Sequence, residues 1–199
     1  MRGWTKTIVD TVAIVLIILA AKTAIAEPYY VPSGSMEPTL QIGDELLATK
    51  YPYGYSAASL PPFITLPDTQ RILAALPERG DIVVFRWSGD RSQIWVKRVV
   101  GLPGDRRHTI FKHLGVGAFD EMAEIVVPAD RLFVMGDNRD NSADSRVAVE
   151  AGGVGLLPTT DLVGRVDALV GSWDLGVRHQ PIWTWPAGLR LSRFFTTVQ

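Results

Sequence analysis

Residues 7–26 read TIVDTVAIVLIILAAKTAIA, the one long apolar segment at the start of this 199-residue chain. About 20 mainly apolar residues span a bilayer as a helix, and charges at its ends can reach the interface. The segment is therefore expected to be a transmembrane anchor, with Asp10 and Lys22 flanking an apolar heart at 12–21. Arg2 and Lys6 precede it, which places residues 1–6 in the cytoplasm and residues 27–199 outside it. A short basic region, an apolar stretch and Ala24-Ile25-Ala26 also describe a cleavable secretory signal. The retained anchor is preferred because Ser35 follows within ten residues, so retention would hold a site close to the membrane face. What remains is long enough for one mid-sized globular core.

Composition narrows the chemistry. The formal net charge is −1, without the basic footprint that nucleic-acid binding leaves, so no nucleic-acid partner is expected. There is no cysteine, and hence no disulfide framework, thiol nucleophile or cysteine-based zinc site. His108, His113 and His179 lack the spacing of a helical HExxH pair and read as surface or loop residues. No metal and no cofactor are expected.

After the anchor, β-prone runs occur at 45–48, 81–87, 94–100, 131–135 and 162–170. Ile82-Val83-Val84-Phe85, rich in β-branched and aromatic residues, reads as a buried strand. Gly43, Pro52, Gly54, Gly80, Pro103, Gly104 and Gly136 punctuate the spaces between runs. Strands divided by turns, with no alternating helices, predict a mainly β domain. Residues 56–77 read as a surface insertion loop with a short helical possibility at 68–76. The tail at 181–199 interleaves Trp183, Trp185, Leu189, Leu191, Phe194 and Phe195 with Arg190 and Arg193. That mixture suits either a membrane–water interface or a terminal segment packed on the domain itself.

Two short stretches carry reactive side chains: Pro32-Ser33-Gly34-Ser35-Met36 and Lys97-Arg98-Val99-Val100-Gly101. A serine is weakly nucleophilic at neutral pH and needs an adjacent base. A lysine serves as that base if burial disfavours its charged form. The apolar neighbours Trp95, Val96, Val99 and Val100 fit such desolvation. Taken alone, Ser-Gly-Ser reads as a turn and Lys97 as an exposed strand lysine.

Four longer blocks change that balance: PSGSMEPTL at 32–40, RGDIVVF at 79–85, KRVVGLPGD at 97–105 and GDNRDNSADSR at 136–146. In this order they resemble bacterial type I signal peptidase (leader peptidase), and the last block alone is long and unusual. The resemblance implies a compact antiparallel β-sheet domain of the signal-peptidase type behind a single N-terminal transmembrane helix. It implies a membrane-bound serine endopeptidase that removes signal peptides through an acyl-enzyme. Ser35 matches the nucleophile and Lys97 the general base. Ser33 matches the residue whose hydroxyl joins the Ser35 N–H in the oxyanion hole. Ser142 matches a residue that orients the lysine amine. Asp144 and Arg146 match supporting positions, where a charge-assisted pair would pin the loop carrying Ser142.

The same resemblance implies substrates that are secretory precursors cut after Ala-X-Ala, contact with membrane lipid, and residence in the bacterial plasma membrane. Shallow apolar pockets would be lined by Tyr29, Val31, Pro32, Met36, Leu40, Trp95 and Val96, with the peptide bound as an added strand. Trp95 is larger than the tyrosine common in relatives. One span replaces the two of larger relatives, and the short 105–136 connection implies no large accessory β subdomain. A specialised peptidase for one exported or conjugative substrate, or a membrane-tethered non-catalytic β-domain binding exported chains, stands as the alternative.

Overall fold

The computed structural model describes residues 2–59, 71–105 and 125–198. Residues 60–70 of the insertion loop, with His108 and His113, lie outside them.

The chain opens with helix α1 (Arg2–Ala24) and enters strand β1 (Ala26–Tyr30) almost at once. Apolar residues of α1 from Ile8 to Leu19 are solvent-exposed rather than packed on the domain. Among the described residues no helix is long and apolar enough to cross a membrane.

The remaining strands are β2 (Asp44–Thr49), β3 (Ile82–Trp87), β4 (Asp90–Gly101), β5 (Arg131–Met135), β6 (Leu157–Pro158), β7 (Leu162–Ser172) and β8 (Thr196–Thr197). They form one antiparallel sheet in the order β1-β2-β7-β3-β4-β5-β6, with β8 on β7. All five expected runs are strands, and the mainly β domain is the observed class. Period-2 alternation along the central strands divides the core. Ile82, Val84, Val163 and Val166 join Val31, Met36 and Leu40 in one cluster. Val83, Phe85, Val99, Leu132 and Leu162 form another.

Two features place the site. β5 pairs only with the C-terminal part of β4, from Arg98 onward, so the β4 edge before Lys97 has no neighbouring strand among the described residues. Buried Asp44, at the start of β2, accepts from Arg193 Nη2 (2.6 Å), Ser172 Oγ (2.6 Å) and Gln41 N–H (2.7 Å). Arg193 also donates to the Thr39 carbonyl (2.9 Å), which ties the tail to the segment after Ser35.

The described part of the proposed 68–76 helix is not helical. Ile72 instead pairs with Tyr55 through two backbone hydrogen bonds, which demand extended chain. Arg71 braces this return by donating to the carbonyls of Tyr53, Gly54 and Leu162. The tail divides between the two expectations. Trp185 packs edge-on against Trp173 at 5.9 Å, whereas Ile182, Trp183, Leu191 and Phe195 project into solvent.

Candidate active site

Ser35 lies in a single 3-10 turn, Gly34–Met36, entered from extended backbone at Ser33. The turn carbonyl of Gly34 accepts the Glu37 N–H at 3.2 Å, and Met36 plugs the core beneath. Ser35 is thereby lifted to the surface on a buried anchor. Lys97 comes from β4, opposite Val83 of β3. It is only 4% exposed.

Lys97 Nζ stands 2.8 Å from Ser35 Oγ and 3.1 Å from the Val96 carbonyl, with the Trp95 ring centroid at 5.5 Å. Trp95 is held by parallel stacking on Trp87, 5.1 Å between centroids, and Trp87 Nε1 donates to the Gly153 carbonyl at 2.7 Å. Burial pushes the Lys97 ammonium down from 10.5 to about 8, while Asp144 and Asp137 pull it back upward. A lysine near that value exchanges its proton near neutral pH, as a general base requires.

Ser33 is exposed, with its Oγ 3.5 Å from Ser35 Oγ, longer than an ordinary hydroxyl–hydroxyl hydrogen bond. Ser142 is buried beside this centre, but its Oγ makes no hydrogen bond and so does not reach the Lys97 amine. The amine is held instead by Ser35 and the Val96 carbonyl. Space explains the close packing of Ser142. Gly136 has no Cβ where one would strike both Ser142 Oγ and the Ser35 carbonyl.

Asp144 is fully buried and accepts from Arg146 Nε and Nη2, each at 2.9 Å, and from the Gly136 N–H at 3.1 Å. Burial acts to raise its pKa, but these donors outweigh burial and hold it below the usual carboxylate range. Arg146 also donates to the Arg139 carbonyl at 2.6 Å, closing the loop on itself. Asp137 is likewise opposed by burial and held low by Arg98, which grips it with two bonds of 2.8 and 2.7 Å.

A groove of about 570 Å³ opens on this pair. Tyr29, Pro32, Trp95 and Val96 line it, with Leu46 and Val84 of the core cluster behind them. Of the expected pocket residues, Val31, Met36 and Leu40 do not line it: each is at most 1% exposed and belongs to the core below. Asn141 and Ala143 also line the groove, and Asn138 contacts the Ser35 turn, three residues with no reactive side chain to single them out in the sequence. Their place within the GDNRDNSADSR block was the available signal.

A family model described as "Signal peptidase, peptidase S26" matches residues 2–108 and 107–173. Signal peptidase I of Pseudomonas aeruginosa is 31% identical over 207 residues, covering 80% of this chain and 70% of its own length. Signal peptidase I of Rickettsia typhi is 31% identical over 246 residues, covering 93% and 90%. A crystal structure of a signal peptidase I from Enterococcus faecalis covers 46% of this chain and 97% of its own, at 23% identity and a TM-score of 0.33. The family match runs through the Ser35 turn, the Lys97 strand and the Asp144 loop alike, and the chain belongs to the signal peptidase family, peptidase S26.

Proposed function

We propose that this chain removes N-terminal signal peptides from exported precursor proteins, with Ser35 as nucleophile and Lys97 as general base. The family consists of peptidases, and the chain is a hydrolase of that kind. The observation that carries the residue assignment is the 2.8 Å contact between a buried lysine amine and the serine hydroxyl.

In the proposed reaction neutral Lys97 takes the Ser35 proton as Oγ attacks the scissile carbonyl. The oxyanion that forms is met by the Ser35 N–H and, once substrate is seated, by Ser33 Oγ. Collapse of the adduct expels the new amino terminus, which receives the proton from Lys97. The acyl group remains as an ester on Ser35. Lys97 then deprotonates water, which attacks the ester and frees Ser35 and the new carboxylate. Trp95 and Val96, on a β4 edge with no neighbouring strand among the described residues, line the groove with Tyr29 and Pro32 and suit an extended peptide that bonds to the edge and presents small side chains to shallow pockets. This fits cleavage after Ala-X-Ala.

Residues 27–199 act as the catalytic unit in this reading, with residues 7–26 as a single-pass anchor behind a cytoplasmic segment 1–6. The exposed apolar side chains of α1 favour a lipid environment. Lys50, in the turn after β2, braces the exit of α1: its N–H donates to the Ile25 carbonyl at 2.9 Å and its Nζ pairs with Glu27 at 3.0 Å. This keeps the groove near the end of α1, as processing at the outer face of a plasma membrane requires. Ile182, Trp183, Leu191 and Phe195 of the 181–199 tail, and the exposed Ile72 and Leu73 of the 56–77 loop, would meet the same lipid surface.

The test is cleavage of a secretory precursor whose signal ends in Ala-X-Ala, in detergent or liposomes, with the cut mapped by mass spectrometry. A single cut after the second alanine, lost in Lys97→Ala, is expected. No cut by the folded unaltered chain would overturn the reading.

A further inference from the structure

Asn138 holds the backbone on both sides of Ser35. Its N–H donates to the Ser35 carbonyl at 3.1 Å, and its side-chain Nδ2 donates to the Gly34 carbonyl at 3.0 Å. These oxygens belong to the two peptide units that flank the Ser35 Cα. Each unit is planar, so fixing its oxygen also fixes its N–H. The Gly34 carbonyl shares its plane with the Ser35 N–H.

We infer that Asn138 is a positioning residue for the oxyanion hole, acting through the Gly34–Ser35 peptide. The inference rests on the proposed role of Ser35. A hydrogen bond accepted by a carbonyl polarises its peptide and strengthens the N–H on the other side as a donor. Asn138 therefore both aims and strengthens the Ser35 N–H at the place where negative charge develops. Glu37 N–H bonds the same Gly34 oxygen at 3.2 Å from within the turn, and Asn138 bonds it from the 136–138 loop. The 136–138 loop comes this close because Gly136 offers no Cβ to the Ser35 carbonyl. Asn138 is itself kept in place by the Asn141 N–H, which donates to its carbonyl at 3.0 Å.

A brace that served only folding would have a different signature from one that serves the transition state. The experiment uses the full chain in detergent, a precursor peptide, and the variants Asn138→Ala, Asn138→Asp and Ser35→Ala. The backbone donor survives in both Asn138 variants, and only the bond to Gly34 is lost. The expected result for Asn138→Ala is a kcat about ten- to a hundredfold lower with KM within about twofold, at or below the 10²–10³-fold cost of deleting an oxyanion donor outright. Affinity for a peptide aldehyde, which forms a tetrahedral adduct on Ser35, should fall by the same factor as kcat/KM. Binding of the uncleaved peptide, measured with Ser35→Ala alone and combined with Asn138→Ala, should be unchanged.

Asn138→Asp is nearly isosteric and sets a carboxylate oxygen against the Gly34 carbonyl. It should fold and lose at least as much kcat, and it decides the matter if Asn138→Ala does not fold. An unchanged kcat in a folded variant, a rise in KM alone, or aldehyde affinity that does not follow kcat/KM would overturn the inference. Ser35→Ala separates this from the underlying reading: if it still cleaves, the role of Ser35 fails, and if it is inert, only the Asn138 results bear on the inference.

Discussion

Lys97 Nζ meets Ser35 Oγ at 2.8 Å although 62 positions separate the two residues in the chain. The contact joins a strand in mid-sheet to a turn standing on Met36. Neither element can shift without disturbing the core. Ser35→Ala and Lys97→Ala should each reduce cleavage on the order of 10⁴-fold or more, because the proposed nucleophile and base would act as a unit. Circular dichroism should show both folded. A Lys97→Ala protein retaining a tenth of normal activity would remove the lysine from the mechanism.

The reaction should speed up with pH. Only neutral Lys97 accepts a proton, and burial brings it to about 8. At pH 7 about one molecule in ten holds the neutral form, given a pKa one unit higher. The kcat/KM profile should rise about tenfold from pH 7 and level off above pH 9. A flat profile over that range in the unaltered chain would contradict the assignment.

The same burial opposes folding while the amine is charged. A fall from 10.5 to about 8 corresponds to about 3 kcal/mol. The unfolded chain binds the extra proton between those values, so stability rises with pH across that window and the full cost applies below it. Lys97→Met should therefore be more stable than the unaltered chain at pH 7, by up to that amount. The advantage should shrink between about pH 8 and 10.5. Urea melts at pH 7 and pH 10 measure it.

Asp144 and Arg146 form a pair that is almost wholly inside the protein. Arg146→Ala would leave the Asp144 charge buried with only backbone donors, a situation that costs about 3–5 kcal/mol. A melting point within a degree or two of the unaltered chain would show the loop to be held by other means.

Ser33→Ala tests the proposed second oxyanion donor. Its hydroxyl is exposed and 3.5 Å from Ser35 Oγ, so in the proposed reaction the bond to the oxyanion forms as substrate arrives. Loss of a donor of this type lowers kcat about 10²–10³-fold with little change in KM. A change smaller than about threefold would leave the Ser35 N–H as the sole donor.

Much of this was readable from residues alone. Runs such as Ile82-Val83-Val84-Phe85 leave few alternatives to a buried strand, and they are strands. Ser35 and Lys97 were singled out because their chemistry is local to the side chain. Val31, Met36 and Leu40 were misplaced because an apolar residue next to a reactive serine suits a pocket and a core equally. Only the turn geometry, which points Met36 inward, separates the two. Ser142 was expected at the Lys97 amine, but the amine's bonds go to Ser35 and a strand carbonyl. Asn138 was overlooked because its bonds go to backbone, which no side-chain pattern reports. Residues 7–26 allow an anchor or a signal alike, because both use one apolar run with a basic start.

An unpaired strand edge invites another chain to dock and then another upon that, which is how sheets aggregate. Among the described residues the β4 edge before Lys97 is open in this sense, yet it lies in a groove that Tyr29 and Pro32 also line. A strand seated in a lined groove is held by side chains as well as by the edge, which a bare sheet edge does not offer. An opening of that kind would admit a single extended segment more readily than the edge of a second sheet.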